Sequence, residues 1–203
     1  MKTNFLAAAL SIISFGALAQ TASPAQPSTK LESMSKIELG LHGLGLAYEV
    51  PLSARWSANL SAGLGGGYAI EQNDFENGFN STWIINEPVA YFRSEFKYTY
   101  NRDRRLSKSK SILNNAGNYV AFQVKYTTNR VFEGNDYSFL EEPLNRTLLN
   151  EAHWGMQRPL GQKFIFNLHL GLGYATDFDF DNSQLYPAAG VQFSYVISKR
   201  AAL

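Results

Sequence analysis

The chain has no cysteine, so disulfides, thiolate metal sites and a cysteine nucleophile have no part in it. It also lacks a surplus of either charge, with 18 Lys and Arg against 17 Asp and Glu. That balance argues against nucleic acid as a partner. Beyond residue 19 no stretch approaches the roughly 18 consecutive apolar residues of a transmembrane helix. A membrane is not thereby excluded, because a spanning barrel strand needs only about 9–11 residues of alternating character.

The one sustained apolar run is at the start. Lys2 supplies a positive n-region, Phe5 to Leu18 carry no charge, and Ala17-Leu18-Ala19 has the small-x-small form a signal peptidase reads. At about fourteen residues the run is short for a membrane anchor. Residues 1–19 are therefore expected to be a signal peptide cleaved before Gln20. Loss of Lys2 from the 18 basic residues leaves 17 against 17 acidic ones in a mature chain of about 184 residues, enough for one domain. Residues 20–31 open with QTASPAQPSTK, which has two prolines and no large apolar side chain, and read as a disordered leader.

Beyond the leader, the chain alternates with period two, the signature of strands. From Trp56 to Ile70 one face carries Trp56, Ala58, Leu60, Ala62, Leu64, Tyr68 and Ile70, and the other Ser57, Asn59, Ser61 and glycines. Between Pro88 and Asn101, Ala90, Phe92, Phe96, Tyr98 and Tyr100 oppose Arg93, Glu95, Lys97 and Thr99. Val120, Phe122, Val124 and Tyr126 oppose Ala121, Gln123, Lys125 and Thr127. Ala152, Trp154 and Met156 oppose Glu151, His153 and Gln157. Phe164, Phe166, Leu168, Leu170, Leu172 and Tyr174 oppose Lys163, Ile165, Asn167 and His169, and Val191, Phe193, Tyr195 and Ile197 oppose Gln192 and Ser194.

A soluble sheet also alternates. Here, however, the apolar rows are long and aromatics (Trp56, Tyr68, Tyr98, Tyr100, Tyr174, Tyr195) gather near strand ends, as in the interfacial girdles of outer-membrane barrels. Facing Arg93 or Lys97 to a bilayer midplane would cost about 2–4 kcal/mol each, so the charged face is expected inside.

Six strands are expected over 55–70, 86–101, 118–130, 147–158, 162–176 and 185–197. Residues 36–52 change phase at His42-Gly43: Ile37, Leu39 and Leu41 are in step, then Leu44, Leu46, Tyr48, Val50 and Leu52 in the opposite step. A two-residue hairpin and a β-bulge in one long strand both produce such a flip. The hairpin is preferred, because bacterial single-chain barrels have an even strand number. Connections at 52–55 and 158–162 then read as periplasmic turns, and those at 71–85, 131–146 and 177–184 as extracellular loops. The fold class expected is all-β, an antiparallel up-and-down transmembrane barrel of eight strands over 32–198, followed by a tail over 199–203. The connection Arg102 to Gly117, with Arg102, Arg104, Arg105, Lys108 and Lys110 against Asp103 alone, reads as a solvated helix or turn or as a contact with anionic lipid heads.

Signs of chemistry are few. His42 falls in the proposed turn, whereas His153 and His169 face inward on neighbouring strands and could approach each other and Glu151. A His/Glu site or a metal site is one reading. A lumen hydrogen-bond network is the expected one, since no serine, cysteine or third ligand stands at a telling spacing. Asp177-Phe178-Asp179-Phe180-Asp181 has alternating carboxylates, but Asn182 and Ala188 stand where a calcium loop needs Gly and Glu. The expectation is no catalytic, cofactor-binding or metal-ligating residue and no cofactor. The lumen filling expected is Arg93, Glu95, Lys97, Gln123, Lys125, Glu151, His153, Asn167, His169 and Gln192, with no open pore.

Gly190-x-x-Phe193-x-Tyr195 is similar to the final strand of outer-membrane proteins, though here the chain continues to Leu203. With the signal peptide and the alternating strands, it makes the chain resemble small outer-membrane barrels of the OmpA/OmpX-like kind. Asn114-Asn115-Ala116-Gly117-Asn118-Tyr119 and Tyr48-Glu49-x-Pro51-Leu52 resemble segments of Bacteroidota barrel proteins of unassigned function. The resemblance implies residence in the bacterial outer membrane, with lipid, lipopolysaccharide and the barrel insertion machinery as partners. It further implies a non-enzymatic envelope-structural or surface-interaction role. The alternatives are an outer-membrane lipid-modifying enzyme and a soluble periplasmic ligand-binding barrel. A deacylase of the first kind carries His-x-Ser, where this chain has His169-x-Gly171 and His153-x-Gly155.

Overall fold

Alternating residues point to opposite faces of a strand, and here that alternation builds one closed wall with unlike sides. The computed structural model describes residues 30–41, 43–70, 81–131, 146–179 and 181–201. Eight antiparallel strands succeed one another around the barrel in chain order. They are β1 (Glu32–Gly40), β2 (Gly43–Pro51), β3 (Trp56–Ile70), β4 (Ser81–Thr99), β5 (Gly117–Arg130), β6 (Thr147–Leu160), β7 (Phe164–Asp177) and β8 (Ser183–Ala201). β1 pairs with β8 to close the ring, and β3 and β8 run past the short β1–β2 hairpin. The expected segments 1–19 and 20–29, His42, loop residues 71–80 and 132–145, and residues 202–203 lie outside the described residues.

The phase flip at residue 42 is a hairpin. Leu39 pairs with Leu44 and Gly40 with Gly43, so both leucines face outward. Gly43 has φ 122°, a conformation that a side chain rarely tolerates. An added Cβ there would also meet the Leu64 carbonyl oxygen at 2.1 Å.

Several boundaries differ from the sequence expectation. β4 begins at Ser81 rather than 86, and β8 runs from 183 through 201, so Lys199 to Ala201 continue the strand instead of forming a tail. Lys199 keeps its ladder place opposite Met34. Lys163 is an exposed turn residue, not lumen filling, and its Nζ donates to the Tyr195 hydroxyl at 3.3 Å. Leu31, expected in the leader, is buried beneath the barrel.

The larger correction concerns the basic connection. A short helix, α1 (Arg102–Ser107), does lie there with Arg104, Lys108 and Lys110 exposed. The rest folds under the barrel: Ile112, Asn114, Asn115 and Ala116 are buried. Asn115 accepts from the Glu32 amide at 2.8 Å and donates Nδ2 to the Glu32 carbonyl at 2.8 Å. Asn114 donates to the Gln162 carbonyl at 3.1 Å, and Arg102 donates to the carbonyls of Ile112 and Lys30, each at 3.3 Å. Asn114 and Asn115 both sit at positive φ, 54° and 56°, which asparagine tolerates better than most residues. The segment is thus a floor across the end where β1 begins.

Candidate functional site

The middle of the interior is polar and charged, with small apolar clusters of Met34, Ile165 and Val196 on one side of it and Leu149, Ala175, Tyr186 and Ala188 on the other. Ion pairs dominate the half nearest the floor. Glu49 on β2 stands between two ammonium groups, Lys36 Nζ on β1 and Lys97 Nζ on β4, each at 3.0 Å. It also accepts from the Ser57 hydroxyl at 3.2 Å and from Asn115 Nδ2 of the floor at 3.2 Å. Glu38 is bridged by Lys36 at 3.4 Å and by the guanidinium of Arg93, which also donates to Ser61 at 2.9 Å and Gln192 at 3.2 Å. Buried charges persist only when paired and hydrogen-bonded. Four cations (Lys36, Arg93, Lys97, Lys125) face four anions (Glu38, Glu49, Glu95, Glu151) across the buried lumen.

Above this network lies a layer of imidazoles and carboxylates. The rings of His153 (β6) and His169 (β7) stack with centroids 4.4 Å apart and an interplanar angle of 29°. Glu95, across the barrel on β4, meets His153 Nε2 at 3.1 Å. Glu151 Oε2 stands 3.8 Å from His153 Nδ1 and 3.9 Å from His169 Nε2. The Glu151 carboxylate is fixed from outside by the Tyr186 hydroxyl at 2.6 Å and by Gln123 Nε2 at 2.8 Å.

Glycines make room for the large inward side chains. A Cβ at Gly155 would lie 2.3 Å from Cζ of Tyr119, at Gly173 2.3 Å from Cζ of Tyr186, and at Gly190 2.2 Å from Cε1 of His169. A large residue is therefore matched by an absent one on the neighbouring strand, which fills a narrow eight-stranded interior. The gap bounded by Glu38, Tyr91, Arg93, His169 and Gln192 measures about 10 Å³, at most one water.

All ten residues expected to fill the lumen point inward, and the two histidines and Glu151 do come together. Lys36, Glu38 and Glu49 complete the ion-pair network, although the sequence reading of β1 and β2 rests on their apolar face alone. Their own alternation with Ile37, Leu39 and Tyr48 is the available signal. Tyr91, Tyr119 and Tyr186 also escape sequence reasoning as lumen residues, because an inward tyrosine is intelligible only beside its cross-strand glycine. His42 is outside the described residues.

Two other sequence candidates take definite form. At the deacylase position, a Cβ on Gly171 would meet the Ala152 carbonyl oxygen at 2.2 Å and His153 Cβ at 2.6 Å, so the site has no room for a serine. In the aspartate loop, Asp177 is buried at the end of β7, while Asp179 is engaged by Arg146 through Nη2 at 2.6 Å and Nε at 2.8 Å. These hydrogen bonds hold the Asp179 carboxyl below its usual range, and they commit it to a guanidinium rather than to a cation site.

Comparison with protein-family models, with curated proteins and with solved structures gives no match.

Proposed function

We propose that the chain is a non-enzymatic integral protein of a bacterial outer membrane, an OmpA/OmpX-like barrel delivered by the signal peptide over residues 1–19. Its role is envelope-structural or surface-interacting. The observation that carries this is the inverted polarity of the wall. Leu46, Leu60, Phe92, Phe96, Phe122, Leu170, Leu172 and Phe193 lie on the outer surface, Leu46 and Leu172 each 64% exposed, while Lys36, Lys97, Lys125, Glu38, Glu49, Glu95 and Glu151 lie within. Water favours the reverse arrangement, and a contiguous apolar surface on this scale requires something apolar to cover it. Hydrocarbon around a closed barrel satisfies both faces at once, since the ladders pair the strands right round the ring where all eight overlap.

Aromatics at the two ends support the same reading. Trp56 and Tyr98 pack at 5.0 Å and Trp154 Nε1 donates to the Tyr100 hydroxyl at 2.8 Å near the floor, and Tyr126 and Phe178 meet at 6.4 Å near the opposite end. Both ends then lie at bilayer interfaces. The exposed Arg104, Lys108 and Lys110 of the floor segment would face anionic headgroups on the periplasmic side, and the opposite rim would meet lipopolysaccharide. The final strand would be the one engaged by the insertion machinery. A filled lumen suits an anchor or a surface scaffold, not a pore.

Heat-modifiability tests this. The refolded protein should migrate anomalously on a detergent gel until boiled and should fractionate with detergent-extracted outer membrane. Recovery in the soluble periplasmic fraction would sink the membrane assignment. Stable single-channel conductance in planar bilayers would sink the closed lumen, and a changed lipid A mass in cells producing the protein would sink the non-enzymatic role.

A further inference from the structure

We propose that the stacked histidine layer is a binding site for a divalent transition ion of the zinc type, ligated by Glu151, His153 and His169, with one coordination position not filled by these residues. Three donor atoms, one from each residue, all lie within 4.8 Å of one another. Donors that share a zinc at about 2.0–2.1 Å stand roughly 3.3 Å apart, so the Glu151 separations of 3.8 and 3.9 Å must shorten and one imidazole must turn out of the stack to aim its lone pair at the shared ion. Two imidazoles and one carboxylate match the borderline preference of zinc better than that of calcium or magnesium, which take oxygen.

A polar cluster alone would not establish a site. The second observation is His153 Nδ1, which is buried and makes no hydrogen bond, although the His153 side chain is 0% exposed. An unpaired buried nitrogen costs about 1–3 kcal/mol. Its orientation is not accidental. Glu95 meets the opposite ring nitrogen at 3.1 Å; an ionised Glu95 accepts from Nε2–H, which leaves the Nδ1 lone pair on the side of Glu151 at 3.8 Å. A carboxylate behind a ligating histidine is the usual outer shell of a zinc site. Glu151 is likewise held by Tyr186 and Gln123 at 2.6 and 2.8 Å.

Two carboxylates, Glu95 and Glu151, thus converge on one imidazole pair. The ligands span β6 and β7, and the outer shell comes from β4, β5 and β8. An ion here would tie five of the eight strands through one layer. The proposal is independent of where the barrel resides, because micelles suffice to test it.

The test is to refold the chain in detergent micelles with zinc sulfate present, remove free ion by gel filtration, and measure bound zinc by mass spectrometry on the heat-modifiable fraction. One zinc per chain is expected for the wild type and for His42→Ala, which removes the only other histidine. His169→Gln and Glu151→Gln should retain less than a tenth of that. Glu95→Gln, a change in a positioning residue, should bind with about 10–100-fold weaker affinity. Zinc no higher in the wild type than in His169→Gln, or equal in every variant, overturns the proposal. Should the ligand variants fail to fold, cobalt replaces zinc in the wild type. Visible ligand-field bands displaced by zinc and weakened in Glu95→Gln are expected, and their absence overturns it equally.

Discussion

The two faces of the same strands obey opposite rules. On β2, Leu44, Leu46 and Tyr48 point outward and are exposed, while Ala47 and Glu49, in the opposite phase, are buried. On β4, Phe92 and Phe96 point outward and Arg93, Glu95 and Lys97 inward. Outside, in the proposed bilayer, any apolar side chain of suitable size satisfies its surroundings, because the requirement is only polarity. Inside, each residue is tied to particular partners on other strands, because a buried charge or ring must be matched by a countercharge, a donor or an empty volume. The outer face therefore tolerates apolar exchange, and the inner face does not tolerate exchange of its network residues.

The largest break in this comparison should come from Glu49→Gln. That change keeps the shape but leaves Lys97 and Lys36 without the carboxylate each meets at 3.0 Å. Breaking a buried pair costs about 3–5 kcal/mol, and Lys36 retains only Glu38 at 3.4 Å. Equilibrium urea unfolding of the refolded barrel measures the loss; an unchanged midpoint would mean that water reaches the network. Next is Leu46→Arg, at the middle of β2 on the outside. In the proposed bilayer setting it should cost about 2–4 kcal/mol. On a surface facing water the same change would stay within about 0.5 kcal/mol, so unfolding in lipid vesicles decides which solvent the wall faces.

A smaller effect is expected where volume, not charge, is matched. Gly155→Ala places a methyl 2.3 Å from the Tyr119 ring, and overpacking of this kind costs about 1–3 kcal/mol. Combination with Tyr119→Leu should recover part of the loss. A double-mutant cycle without coupling would show that the ring simply moves aside.

The same contrast explains what can be read from the sequence. The outer face is legible because polarity with period two is a local property. Leu39, Leu44, Phe92 and Leu172 announce their side with no knowledge of their neighbours. The phase flip at residue 42 is legible for the same reason, within one short stretch, but the choice of a hairpin over a bulge rests on the even strand count. The inner face is legible only as a set of residues without partners. That Glu95 on β4 meets His153 on β6, or that Gly190 accommodates His169, depends on strand register and on reach across the barrel. The floor is the least legible part. Asn114 and Asn115 carry no periodic signal, and the basic residues before them suggest a solvated segment, which is true of Asp103 to Ser111 and not of Arg102 or of Ile112 to Ala116.

The smallest expected effect lies at the rim, where the two faces meet solvent. The carboxylate of Asp179 accepts from Arg146 Nε and Nη2, and its Oδ2 accepts from the Arg146 backbone amide at 2.7 Å. Those bonds favour the charged carboxylate, so its folded pKa lies below the usual value. A carboxyl depressed in this way adds stability above its unfolded pKa, about 3.9, and that contribution is lost as pH falls through the folded value. Both side chains are exposed enough for solvent screening, Arg146 at 51% and Asp179 at 25%, so global stability should barely change. Carboxyl NMR on the barrel in micelles should show Asp179 titrating below the ordinary range. Arg146→Gln should raise that midpoint toward it, though not completely, because the backbone amide of residue 146 still donates. A wild-type midpoint already at the ordinary value would mean that rim contacts are as interchangeable as those of the outer wall, and that the strict matching of partners is confined to the lumen.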